Sequence, residues 1–133
     1  MAEPMQVEVV SADRVVWSGK VTNIIAKTVD GDIGILPNHA PVLAVLVPGA
    51  VEIFCEDNSR EIVAVDGGFL SVAQERVSIL SEYATMANEV SLRDAEKELA
   101  DAQSRLDAGD EDEDTRKTYS RASAQVRAAE KLA

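Results

Sequence analysis

The side chains able to do chemistry in this 133-residue chain are few, and their settings argue against catalysis. His39 is the single histidine. As a general base it would need a nucleophile in a recognisable setting, and no serine stands in a GxSxG turn. An imidazole bonding the backbone of its own loop is the simpler expectation. Cys55, the single cysteine, has no partner for an internal disulfide and lies in an alternating segment where a thiol packs as a small hydrophobe. One His, one Cys and acids without EF-hand spacing predict no metal site. Asp66-Gly67-Gly68 offers the glycines of a phosphate loop, but neither GxxxxGK[ST] nor GxGxxG surrounds it, so a glycine-dependent turn is expected. The sequence therefore predicts no catalytic residue and no cofactor.

The chain concentrates its punctuation elsewhere, from Asp30 to Gly49, DGDIGILPNHAPVLAVLVPG. Gly31, Gly34 and Gly49 take positive φ at low cost, while Pro37, Pro41 and Pro48 fix φ and supply no backbone donor. Apolar residues between these breakers predict a contorted loop anchored in a core. Asp30 and Asp32 bracket Gly31 at its tip, where a polar turn with local Asx bonding is the plain expectation.

Around this loop the chain reads as many short strands. Met5 to Val9, Val15 to Trp17, Val21 to Thr28, Val42 to Leu46, Val51 to Cys55, Ile62 to Val65, Phe69 to Ala73 and Arg76 to Leu80 are rich in β-branched residues. Ser18-Gly19, Asp30-Gly31, Asp57-Asn58-Ser59 and Asp66-Gly67-Gly68 separate them as turns, the third as a hairpin. With no helix interrupting, the pattern predicts an antiparallel β-sandwich or flattened barrel.

The period changes near Met86. Leu92, Ala95, Leu99, Ala102 and Leu106 make a helical stripe, with Ser91 and Asp94 forming a capping-box pattern at its start and Gly109 at its end. The acidic run Asp110 to Asp114 precedes a second stripe, Tyr119, Ala122, Val126 and Ala129, so its charge falls where a helix N-terminus favours it. Linker plus helix start explains the acids better than a cation site. Two helices of about four to five turns with a short connection predict an antiparallel hairpin. Alanine at the facing positions buries little area at about 25 cal/mol per Å2, so the hairpin is expected to dock on the strands in one state and leave in another. Arg116, Arg121 and Arg127 of the second helix are ordinarily solvated charges and otherwise available to anions. The fold class is thus α+β: a sandwich over residues 1–84 and a helical hairpin over 85–133.

Composition narrows the partners. The net charge of −11 argues against nucleic acid and anionic lipid surfaces and favours basic protein surfaces. Pro48, Gly49 and Glu52 break the most apolar stretch, so no membrane insertion is expected. The start, MAEPMQVEVV, lacks a basic n-region and apolar h-region, which predicts a cytoplasmic location.

GDIGILPNHAPVLAVLVPG closely resembles one signature of the epsilon subunit of the F-type ATP synthase, and VDGGFLSV, Val65 to Val72, resembles the second at the expected distance. The resemblance extends over the whole chain and is weaker in the helical tail. It implies a non-catalytic rotor subunit of the central stalk, peripheral on the cytoplasmic face of the cell membrane. Its implied partners are the gamma subunit, the c-ring and, through the C-terminal helices, the alpha/beta hexamer. It also implies that Asp30, Gly31, Asp32, Ile33, Gly34, Pro37 and His39 belong to a loop facing gamma and the c-ring, with Asp32 at the c-ring contact. In the family the hairpin can extend along gamma and inhibit ATP hydrolysis, which makes Ser91, Asp94, Arg116, Arg121 and Arg127 the regulatory candidates. Some bacterial members bind ATP through an (I/L)DxxRA motif. Here Ser91 stands at its Asp position and Asp94 at its Arg position, where an acid would repel phosphates. Two readings of other classes compete: a free-standing binding module, and a small enzyme using His39 with Cys55 or a carboxylate.

Overall fold

The computed structural model describes residues 3–132. Seven strands come first: β1 Met5–Val10, β2 Val15–Thr28, β3 Gly31–Ile35, β4 Val42–Cys55, β5 Arg60–Ala73, β6 Arg76–Leu80 and β7 Ala84–Met86. A 3-10 turn, Ala87–Glu89, leads to α1 Leu92–Asp107 and α2 Glu113–Leu132. The boundary expected after residue 84 falls at the start of β7, which pairs with β5.

The strands run in the order β1-β6-β5-β4-β2-β3, and β1 also pairs with β2, so five of them close a ring with β3 outside it. All pairs are antiparallel except β1 with β6. That parallel pair departs from the purely antiparallel expectation. It arises because β1 fills the gap between the β2 hairpin arm and β6, closing an edge that would otherwise expose unpaired backbone.

Three of the predicted interruptions are not turns. Ser18-Gly19, Pro48-Gly49 and Asp66-Gly67-Gly68 lie inside β2, β4 and β5, each of 14 residues. Pro48 and Gly49 keep β4 paired to Asp66 and Val65, while the β2–β4 register slips between Ile25 and Thr28. A bulge and a glycine bend a strand without ending it, so one strand serves both layers of a flattened barrel. Likewise the contorted loop expected from Asp30 to Gly49 is mostly strand, with turns only at Val29-Asp30 and across residues 36–41.

Inside the ring sit Met5, Val7, Val9, Val21, Ile24, Ile35, Val51, Ile53, Leu70 and Ile79, all at most 1% exposed. Their partners along each strand alternate outward, as a half-buried sheet requires. Cys55 packs partly buried against this core.

The helices end as the sequence expects. Ser91 caps α1, accepting from the Asp94 amide at 3.3 Å. Gly109, at φ 95°, closes it: its amide bonds Leu106 O and the Asp110 amide bonds Arg105 O, both at 3.0 Å. Ala95 and Ala102 of α1 and Ala122 of α2 are buried where the two helices pack.

Candidate interaction surfaces

Three surfaces carry the residues of interest. The first is the turn before β3 and the loop after it. Thr28 Oγ1 donates to Gly31 O at 2.7 Å and accepts from the Asp30 amide at 3.1 Å, so the tip is held by its own side-chain bonds. Gly31 takes φ 114° there. Asp30, Gly31, Asp32 and Gly34 are exposed, while Ile33 and Pro37 are half-buried. Asp32 lies opposite Lys27 of β2 and borders a groove of about 300 Å3 that Arg127 and Lys131 line from the helix side. In the following loop the His39 amide bonds Leu36 O at 3.1 Å, and its ring Nδ1 donates to Ala40 O at 2.7 Å. The carbonyl can only accept, so Nδ1 carries the proton. The imidazole is committed to loop backbone, and Asn38, at φ 68°, is fixed through its amide to Glu75 Oε1 at 3.1 Å.

The second surface was not foreseen. On the outer face of the layer built by β1, β6, β5 and β4, the residues Val10, Leu80, Phe69 and Val45 stand side by side in register. Phe69 is 48% exposed, Leu43 on the same face 69%, and Val29, whose amide bonds Val45 O, 60%. Large apolar side chains sharing one exposed face mark a contact surface. The sequence did hold a signal: Val42 to Leu46 is apolar without alternation, which in a strand means that both faces are apolar.

The third surface joins α2 to the outside of the other layer. Ala124 and Ala128 are fully buried on Ile62, Ala64 and Ala87, with Ala50 alongside. Polar contacts flank this alanine patch. At one end Arg121 Nε donates to Asp66 Oδ2 at 3.2 Å and its guanidinium lies 5.0 Å over the Tyr83 ring, whose hydroxyl accepts from Gln125. At the other end Lys131 Nζ pairs with Glu52 at 2.9 Å, and Arg60 bonds Lys131 O at 2.7 Å. Arg127 Nη1 reaches Pro48 O at 3.4 Å. Thus two of the three helix arginines turn toward the strands, while Arg116 is exposed in the first turn of α2. The second alanine face was missed because the stripe through Ala122, Val126 and Ala129 accounted for only one neighbour. Ile62-Val63-Ala64-Val65, all buried, is the complementary sign of a strand covered on both faces.

The acidic run is a cap. Asp110 Oδ1 accepts from the Asp112 amide at 2.8 Å and Asp110 Oδ2 from Thr115 Oγ1 at 2.9 Å; both hold its carboxyl below the usual range. Ser91 and Asp94 form the α1 cap and lie exposed. Among the described residues no cluster of three or more potential metal ligands occurs.

Residues 4–87 match the family model of the ATP synthase delta/epsilon chain beta-sandwich domain. The ATP synthase epsilon chain of Streptomyces avermitilis is 45% identical over 108 residues, covering 81% of this chain and 87% of that one. The epsilon chain of Corynebacterium diphtheriae is 49% identical over 94 residues, 70% and 76% of the two chains. In fold, the chain is similar to one chain of the Euglena gracilis mitochondrial ATP synthase structure, with a TM-score of 0.76, 21% identity, and coverage of 99% and 81%. The flattened ring, the paired helices and this likeness in sequence agree: the chain belongs to the ATP synthase delta/epsilon chain family, alongside the bacterial epsilon chains.

Proposed function

We propose that this chain works in the central stalk of a proton-translocating ATP synthase, a rotor subunit without catalytic residues that seats on the gamma subunit through its exposed apolar face. The observation that carries this is the row Val10, Leu80, Phe69 and Val45. A chain of net charge −11 keeps itself soluble, so an apolar row held open on a rigid layer needs a partner to cover it. The Asp30–Asp32 turn, rigid and acidic at its tip, is the part offered to the c-ring, in keeping with the family. The helical hairpin is the regulatory part. Docked through small side chains, it separates at modest cost and then reaches the alpha/beta hexamer. The chain sits peripherally on the cytoplasmic face of the membrane, as its partners require. Asp94, an acid where the family's ATP-binding motif has its arginine, disfavours ATP sensing through that motif.

The test is affinity capture of the tagged full chain from detergent-solubilised host membranes, compared with Phe69→Ser and Leu80→Ser. The wild-type chain is expected to bring gamma, alpha, beta and c subunits, and each variant to lose them at least about tenfold, as truncating a central apolar contact does. Capture undiminished in both variants would move the gamma contact off this face.

A further inference from the structure

Two stretches of chain, residues 66–69 and 80–83, serve both the α2 dock and the exposed apolar face. At the dock end, Asp66 and Tyr83 receive Arg121, and Gln125 bonds the Tyr83 hydroxyl. At the other end, Phe69 and Leu80 are cross-strand partners in the apolar row and, with Val10, Gly68, Ser81 and Glu82, line a cavity of about 310 Å3. Between the ends the Asp66 amide donates to Tyr83 O at 3.2 Å and joins the two stretches, while the second is braced by Ser81 Oγ donating to Tyr83 O at 2.8 Å within it and by the Ser81 amide donating to Val10 O of β1 at 3.0 Å. Gly68, at φ 109°, lies so close to the second stretch that a Cβ there would fall 2.1 Å from Leu80 O and 2.9 Å from Ser81 Cα. Contacts thus run from Arg121 through the bend to Phe69, and closely packed backbone passes displacement on.

We propose that the apolar face and the α2 dock are energetically coupled through this bend: docked α2 holds the bend in the shape that presents Phe69 and Leu80. A partner on the apolar face then tightens the dock. The physical basis is shared ordering. Whichever contact forms first fixes residues 66–69 and 80–83, and the second forms against a bend already ordered. Reciprocity follows: release of α2 weakens what binds the apolar face by the same factor that its binding tightens α2.

The test uses the full chain and hydrogen exchange at each end while the other end is altered. Phe69→Ala or Leu80→Ala is expected to speed exchange across residues 122–128 about fivefold. Arg121→Ala should speed it across 67–71 and 80–83 by a similar factor. Leu43→Ala, on the same face but beside Ser71 and away from the bend, is expected to leave α2 unchanged. If Phe69→Ala and Leu80→Ala leave α2 as protected as Leu43→Ala does, and Arg121→Ala leaves the bend unchanged, the coupling is overturned. A second arm, which rests on the gamma reading, adds recombinant gamma. Gamma should slow α2 exchange about fivefold and bind Arg121→Ala about fivefold more weakly. Gamma that binds without slowing α2 overturns the coupling and leaves the gamma reading standing. Gamma that fails to bind while the variants still communicate removes the gamma reading and supports the coupling.

Discussion

Inside the ring the largest fully buried side chains are Met5, Ile24, Ile35, Ile53, Leu70 and Ile79; under α2 the buried residues are Ala124, Ala128, Ala64 and Ala87, with Ile62 the single large one. Each buried carbon contributes about 0.8 kcal/mol, so a branched side chain stabilises several times more than an alanine methyl. The ring coheres by area, whereas the dock coheres by close approach and by polar contacts at its two ends. Such polar contacts are screened by salt and individually weak. The two regions of one small chain therefore come apart on different scales.

The comparison is broken most severely from the ring side. Ile53→Ala leaves a cavity between layers that share three strands, and should cost about 2–5 kcal/mol in urea unfolding. Both regions should be lost together, since the dock has no support without the ring. Ala128→Leu attacks the dock alone. Its added carbons overfill a site built for a methyl, with an expected cost of about 1–3 kcal/mol that appears as faster α2 exchange at an unchanged unfolding midpoint of the strands. If the midpoint falls with it, the two regions are not separable. Lys131→Ala removes one end contact, made by a half-exposed ammonium, and should loosen only the last turns of α2, by about 0.2–1 kcal/mol, an effect that shrinks at high salt.

The smallest effect concerns pH. The Asp112 amide and then the Thr115 hydroxyl hold the Asp110 carboxyl below its ordinary range. Because folding favours the charged form, its contribution is complete above the ordinary aspartate range and is lost as pH falls through the lowered value. Amide exchange should show the first turn of α2 fraying in that acid window while the strands stay protected, and Asp110→Asn should remove the pH dependence.

These differences explain what could be read in advance. Ring strands announce themselves through alternation of branched side chains, and helix ends through Ser91 and Gly109, because those signals are local. Three long strands were read as several short ones because Gly19, Pro48-Gly49 and Gly67-Gly68 look alike whether a chain turns or merely bends; only pairing across the sheet decides. That the hairpin docks on the strands is legible from its weak alanine packing; which face of α2 docks is not, for a related reason. Ala124 and Ala128 carry no periodic signal distinct from ordinary helix composition, and their meaning comes from Ile62 and Ala64, some sixty residues away. The turn at Asp30–Asp32 was legible as a place because glycine marks it. The apolar face is legible only in the unalternating run Val42 to Leu46, since an exposed Phe69 looks in sequence like any strand residue.

The bent strands have a mechanical consequence. β2, β4 and β5 each run through both layers, so sliding one layer over the other would have to stretch covalent backbone as well as slip side chains past one another. β2 ends at the acidic turn, β4 pairs with it near Thr28, and β5 carries Phe69. A torque applied at the turn is thus carried to the apolar face through paired strands that each span both layers, and the unit behaves as a stiff washer between whatever grips its two ends.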